Sequence, residues 1–359
     1  MSKDVLVRLQ SAAIQEARER LEKCVAGFLI SVYSFARRLT VQTQQLTITD
    51  RPASTEGRAG FDPLSNLEQM ASLIGEVSGE PVGRVIERLE YERVHPGRTV
   101  ADDFAKAGGP RYEWGPHLEK FYGSTDAFLY ELAVWNRNGI KRQLRRWVTR
   151  HMARQQRPLD VLSVGDGLGF DCLHLARKQH RVTYFELPGL GERFARKLFE
   201  RTGRDIPMLT DPARIPLESF DAVTCFDVLE HVPDPPAMVR ALASYLRPGG
   251  LLYVSAPFFM ILPWYPTHLR SNRKFSGCLS LYRQAGLRLA DGRFSWLPIV
   301  LQKPLPGAPP AQSMGTFFTR LTAPFQMVGR ATAWPFFPGH VLRRLCDRPF
   351  ADSRAGKFQ

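Results

Sequence analysis

Val161-Leu-Ser-Val-Gly165-Asp-Gly167-Leu-Gly169 is the point from which the rest of the chain can be read. Four apolar or small residues run straight into glycines at alternate positions, and a helical pattern follows from Phe170. A strand ending in such a loop lets a ligand lie against bare backbone, because no Cβ blocks the approach. A glycine-rich turn alone is a weak signal, so the order of its neighbours carries the reading.

Downstream, strand and helix signals alternate. Strands are expected over 159–164, 181–187, 206–209, 220–226 and 250–256, and helices over 170–179, 190–202 and 235–246, the last with Asp234 as N-cap. Strands separated by helices of about ten residues make a parallel, doubly wound sheet. A helix over 275–285 and strands over 287–294 and 296–302 follow; that final pair is joined too tightly for a crossover and must be antiparallel. Upstream, 1–48 reads as amphipathic helix, 51–60 as a linker, 63–103 as short helices broken by Gly79, Pro81, Pro96 and Gly97, and 118–154 as helix. The expected organisation is a helical accessory or cap region over 1–155, an α/β domain over 156–303, and a Pro-, Phe- and Arg-rich extension over 304–359.

With 359 residues, 44% apolar and 23% charged, the composition is that of an ordinary globular protein. The balance of 49 basic against 35 acidic residues gives +14. Such an excess suits nucleic acid, an anionic membrane surface or an acidic substrate, or simply an arginine-rich solvated surface. It is spread along the chain with no long run of like charge. Cys24, Cys172, Cys225, Cys278 and Cys346 are dispersed without C-x-x-C spacing, which argues for a reducing compartment and against a disulfide frame or zinc site. No signal-peptide core opens the chain, and the apolar stretch 251–265 is too short to span a bilayer and holds Pro257 and Pro263. These features point to the cytoplasm.

Two ligand classes suit the turn. A dinucleotide wants G-x-G-x-x-G with its pyrophosphate at the helix N-terminus, but Phe170 stands where the third glycine would be. S-adenosylmethionine instead needs close backbone contact and an acid for its ribose hydroxyls. Glu186 is placed for that, although a carboxylate there serves a nicotinamide dinucleotide equally well.

Ser219-Phe-Asp-Ala-Val-Thr-Cys-Phe-Asp227-Val-Leu-Glu230-His231-Val-Pro-Asp-Pro, with Tyr245-Leu-Arg-Pro-Gly249-Gly250-Leu-Leu-Tyr-Val-Ser-Ala-Pro257, discriminates between them. Together with the glycine loop and Glu186, these segments resemble the class I S-adenosylmethionine-dependent methyltransferases over roughly 158–303. The resemblance implies a seven-stranded Rossmann-like sheet whose last strand is antiparallel. It puts Gly165, Gly167 and Gly169, with Asp166, under the methionine and ribose, and Glu186 on the ribose hydroxyls. Asp211 would face the adenine, and Asp227 would lie near the methionine amino group and the acceptor. The pattern departs at Ser163, where the family often has an acid; Asp166 or Asp171 are the expected substitutes.

The sulfonium already activates the methyl group, so the protein must position the reactants and, for a hydroxyl acceptor, remove a proton. His231 and His268, both at the carboxyl-end rim, are the candidate bases, with Asp227 beside them. Asp227-x-x-Glu230-His231 also resembles the acidic-histidine cluster that binds a divalent metal in ubiquinone-type O-methyltransferases; a metal-free strand terminus is the expectation here. Tyr122 and Asp126 are candidate lid residues. The tail from Phe317 to Arg344 mixes aromatics with arginines, and an arm folded over the core is expected ahead of a membrane contact. The leading reading is a methyltransferase acting on an oxygen of a metabolite or saccharide intermediate. A nucleic-acid methyltransferase, a non-catalytic cofactor-binding scaffold and a nicotinamide-dependent oxidoreductase are the alternatives.

Overall fold

A computed structural model describes residues 60–307 and 313–331. The helices expected over 1–48, and the tail beyond Ala331 with its Trp334 and Arg343, lie outside the described residues.

Local chemistry sets the boundaries of the upstream helices α1 (Leu67–Ser78), α2 (Val82–Val94), α3 (Arg98–Ala107), α4 (Pro116–Ser124), α5 (Ala127–Arg137) and α6 (Gly139–Ala153). Asn66 accepts the Gln69 N–H to start α1, and left-handed Gly79 ends it. Pro81 precedes α2, and Asn138 caps α6 through the Ile140 N–H. An Asx cap satisfies a helix-start N–H that has no partner within the helix.

The α/β part follows the expected alternation: β1 (Asp160–Val164), α7 (Phe170–Arg177), β2 (Arg181–Phe185), α8 (Leu190–Thr202), β3 (Met208–Leu209), β4 (Phe220–Phe226), α9 (Pro235–Tyr245), β5 (Leu246–Ser255), α10 (Leu279–Arg283), β6 (Arg288–Gly292), β7 (Ile299–Gln302) and then α11 (Met314–Val328). Asp234 caps α9 by accepting the Ala237 N–H. The seven strands lie in the order β3-β2-β1-β4-β5-β7-β6. Strands β1 to β5 are parallel, whereas β7 pairs antiparallel with both β5 and β6. The tight 292–299 connection required that arrangement.

Neighbouring residues on each central strand serve opposite layers. Val161, Ala222 and Tyr253 join Phe170 and Phe194 in one apolar cluster, and Leu162, Val223 and Val254 join Val239 and Leu281 in the other. Both faces are covered, so these strands read as continuous apolar runs. The first cluster also takes Met70, Leu73, Leu89 and Tyr130 from the upstream helices, so cap and sheet share one core.

Two expectations are corrected. The helix expected over 275–285 is a 3-10 turn (Arg270–Phe275) and the short α10, separated at Gly277, whose φ of 66° leaves the helical region. The strand expected from 296 begins at Ile299, because Trp296 turns through a positive φ and Pro298 offers no N–H to a ladder. The extension from 304, expected as an aromatic arm folded over the core, contributes α11, started by a capping box at Ser313 and Thr316, but Phe317 and Phe318 on it are exposed.

Candidate functional site

At the carboxyl end of β1 the chain passes through Gly165, Gly167 and Gly169, with φ of 73°, 62° and 78°. L-residues rarely adopt this region. A Cβ on Gly167 would stand 2.7 Å from Leu132 Cδ1 of α5, and one on Gly169 2.7 Å from the Phe199 ring of α8. The glycines therefore let two helices close onto the loop.

Glu186, just past β2, faces this loop. Its Oε2 accepts the Gly167 N–H at 2.9 Å and its Oε1 the Leu187 N–H at 3.0 Å. Tyr184 donates its hydroxyl to the Gly167 carbonyl at 2.6 Å, holding the same peptide from the other side. Burial raises the pKa of Glu186 above its ordinary value, against the pull of the two N–H donors.

Ser163, Asp166 and Asp171 each have separate partners. Ser163 is buried and accepts the Thr224 hydroxyl at 2.9 Å. Asp166 accepts the N–H groups of Asp171 and Cys172 at 3.1 and 2.8 Å, capping α7 from the loop. Asp171 is buried between Lys141 Nζ at 2.9 Å and Arg145 Nε at 2.5 Å. Burial and the Asp171 charge push Asp166 upward, while the two cations hold Asp171 well below the usual carboxylate range. Lys141 and Arg145 were not singled out from the sequence, where they are two of many basic residues on a helix.

Asp227 ends β4 with a φ of 59°. Trp135 of α5 donates to its Oδ2 at 3.0 Å, and Ser255 of β5 donates to its Oδ1 at 3.1 Å. Val228, the next residue, packs against Gly165, so the β4 loop touches the glycine loop.

His231 and His268 come together edge to face, with ring centroids 4.6 Å apart. The Tyr122 hydroxyl lies 3.1 Å from His231 Nδ1, and Tyr265 stacks on His268. Tyr122, expected as a lid residue, is brought to the histidine pair. Burial lowers His231 to about 4 and His268 well below its ordinary value, so both rings are neutral at pH 7. Glu230 is 1% exposed, and neither carboxylate oxygen has a hydrogen-bond partner among the described residues; burial raises its pKa well above the carboxylate range. Its loop is held by Asn272, whose amide donates to the carbonyls of Leu229, Glu230 and Val232. Glu230, His231 and His268 bring one ligand atom each within 4.8 Å of one another, a set that can hold a divalent cation.

Asp211 and Asp126 have partners of their own. Asp211 is exposed and caps a 3-10 turn through the Ala213 N–H. Asp126 pairs with Arg88, which also holds Glu80. That ion pair lines an open, charged groove of about 620 Å³ on the upstream helices, which shares no residue with the glycine loop or the histidine pair.

Residues 136–290 match the family model described as a methyltransferase domain. Over 151 residues the chain is 35% identical to the ubiquinone biosynthesis O-methyltransferase of Xanthomonas axonopodis pv. citri (strain 306), covering 36% of this chain and 63% of that protein. It is 40% identical over 99 residues to the protein of the same name from Xanthomonas campestris pv. campestris (strain B100), covering 26% of this chain and 41% of that one. The chain therefore spans less than two thirds of the length of these relatives. Among solved structures it is similar to the Burkholderia thailandensis 1,6-didemethyltoxoflavin-N1-methyltransferase with bound S-adenosylhomocysteine, at 19% identity and a TM-score of 0.37, covering 48% of this chain and 81% of that one. Among the described residues no helix is long and apolar enough to cross a membrane. Residues 136–290 thus match a methyltransferase domain and lie on a sheet ordered β3-β2-β1-β4-β5-β7-β6.

Proposed function

We propose that the chain transfers a methyl group from S-adenosylmethionine to a hydroxyl oxygen of a small-molecule acceptor, with His231 as the base. The observation that carries this reading is the carboxylate of Glu186, held by the Gly167 and Leu187 N–H groups beside three left-handed glycines. The loop fits the cofactor: its glycines present backbone without side chains, and the acid beside it can accept from two ribose hydroxyls. When bound, S-adenosylmethionine supplies a methyl group already activated on a sulfonium.

The residues of the chain then have three tasks. Glu186 and the loop amides orient the ribose and methionine. Asp227, held by Trp135 and Ser255, presents its carboxyl group at the end of β4. His231, neutral at pH 7, takes the proton of the acceptor hydroxyl at a ring nitrogen, and the Tyr122 hydroxyl against Nδ1 fixes the ring. The O-methyltransferase names of the curated relatives support an oxygen acceptor.

Calorimetry tests the cofactor assignment. Glu186→Ala removes two charge-assisted contacts, and S-adenosylmethionine affinity is expected to fall about 10- to 100-fold. Unchanged affinity would sink the ribose assignment.

A further inference from the structure

Helix α11 is built inside out. Its inward face is polar: Thr316, Thr319 and Gln326 are buried with Ala323. Thr316 Oγ1 donates to the Ala290 carbonyl at 2.8 Å, Trp296 Nε1 donates to the Thr319 carbonyl at 3.2 Å, and Ser276 Oγ donates to the Gln326 carbonyl at 2.5 Å. Its outward face is apolar: Met314 is 70% exposed, Phe317 58% and Leu321 62%, with Phe318 and Val328 also exposed. In a helix that only covers a core, the apolar stripe faces inward.

The orientation is fixed by close approach at both ends. A Cβ on Gly315 would run into Asp291 Oδ1, and a Cβ on Gly277 would stand 2.5 Å from the Ala323 carbonyl oxygen. Ser313 ties the helix start to Asp291 at 2.9 Å, and Arg273 ties its end to the Gly329 carbonyl at 3.3 Å. Rotating α11 to bury its phenylalanines would break each of these contacts.

Charge identifies what the face meets. From Gly292 to Cys346 the sequence holds no Asp or Glu but six Arg or Lys: Arg293, Lys303, Arg320, Arg330, Arg343 and Arg344. Arg320 and Arg330 are exposed on and just after α11, and the adjoining 3-10 turn adds exposed Arg270 and Lys274. An exposed apolar stripe beside exposed Arg320, Arg330, Arg270 and Lys274 matches the acyl–headgroup boundary of an anionic bilayer. A protein partner of that chemistry would need an apolar patch rimmed by acids.

We infer that α11 is an interfacial helix that seats the chain on an anionic membrane surface, with Phe317, Phe318 and Leu321 in the acyl boundary and Arg320 at the headgroups. The element lies beyond residues 136–290 and uses nothing of the glycine loop or the histidine pair, so its test is independent of the methyl-transfer reading.

Flotation of the full chain with phosphatidylcholine vesicles, and with vesicles containing about 30% phosphatidylglycerol, provides that test. The chain is expected to float with the anionic vesicles alone, and less at high salt. Phe317→Ser/Leu321→Ser is expected to cut the vesicle-bound fraction roughly tenfold, and Arg320→Glu roughly fivefold. Both variants should keep the wild-type melting temperature and S-adenosylmethionine affinity. Failure of the wild-type chain to float, equal flotation with neutral vesicles, or undiminished flotation of the double variant would each overturn the inference. So would a wild-type dimer that the double variant abolishes without any vesicle binding.

Discussion

At the amino end of the parallel strands, Asp160 and Asp221 are fully engaged. Arg181 and Arg247 reach Asp160 at 2.6 and 2.9 Å, while Arg157 and Arg247 reach Asp221 at 2.9 and 3.1 Å. The Asp160 N–H adds a further bond to Asp221. These partners hold both carboxyls below their ordinary range. At the carboxyl end Asp171 is paired with Lys141 and Arg145 and Asp227 takes donors from Trp135 and Ser255, but two acids are under-supplied: Glu186 has two backbone donors, Glu230 has none among the described residues, and burial raises both. Two histidines there are driven neutral by burial. One end of the sheet uses its charges for stability; the other keeps donor and acceptor capacity open for a ligand. Topology sets the assignment, because the loops that leave the carboxyl ends of parallel strands form the crevice.

The contrast predicts that carboxyl-end substitutions change activity and amino-end substitutions change stability. The largest effect is expected at His231. His231→Ala should lower turnover about 100-fold or more while leaving S-adenosylmethionine affinity and melting temperature near wild type. In the same assay a chelator should leave wild-type turnover unchanged. Chelator-sensitive turnover restored by Mg²⁺ would instead assign Glu230, His231 and His268 to a cation.

Asp221→Ala provides the converse case. It leaves Arg157 without its acid and Arg247 with Asp160 alone, and denaturant titration should show a loss of about 2 kcal/mol, the screening at the exposed arginines included. Cofactor affinity should not move, and a parallel drop in affinity would break the separation of the two ends. The smallest effect is a matter of pH. Asp160 and Asp221 have folded pKa values below their unfolded value of about 3.9. Their contribution is therefore complete above that value and is lost as pH falls through the lower folded values. The acid limb of wild-type stability below about pH 4 should be shallower in Asp221→Ala, and limbs of equal depth would remove Asp221 from the account.

Much of the fold was legible because its signals are local. Glycine spacing at 165–169, β-rich runs separated by helical periods, and the Asp234 cap each depend on residues within a turn or two of one another. Where local signals conflicted with packing, the reading slipped. Gly277 interrupts a helical pattern because Ala323 of α11 lies against it, a contact 46 positions away that no window along the chain contains. Helix α11 was missed for a related reason, since its stripe faces away from the protein and Pro324 lies inside it.

The site divides the same way. The sequence by itself determined the left-handed glycine loop, the acid after the second strand, and the histidines on the carboxyl-end rim, because strand ends and turn chemistry place them. Only the tertiary structure decided their partners. Tyr122 meets His231 across 109 positions, and Trp135 meets Asp227 across 92. Burial, which neutralises the histidines and raises Glu230, is a property of the packed molecule. Hydrogen-bond partners and desolvation depend on distances in space, and chain order constrains those only over neighbouring residues.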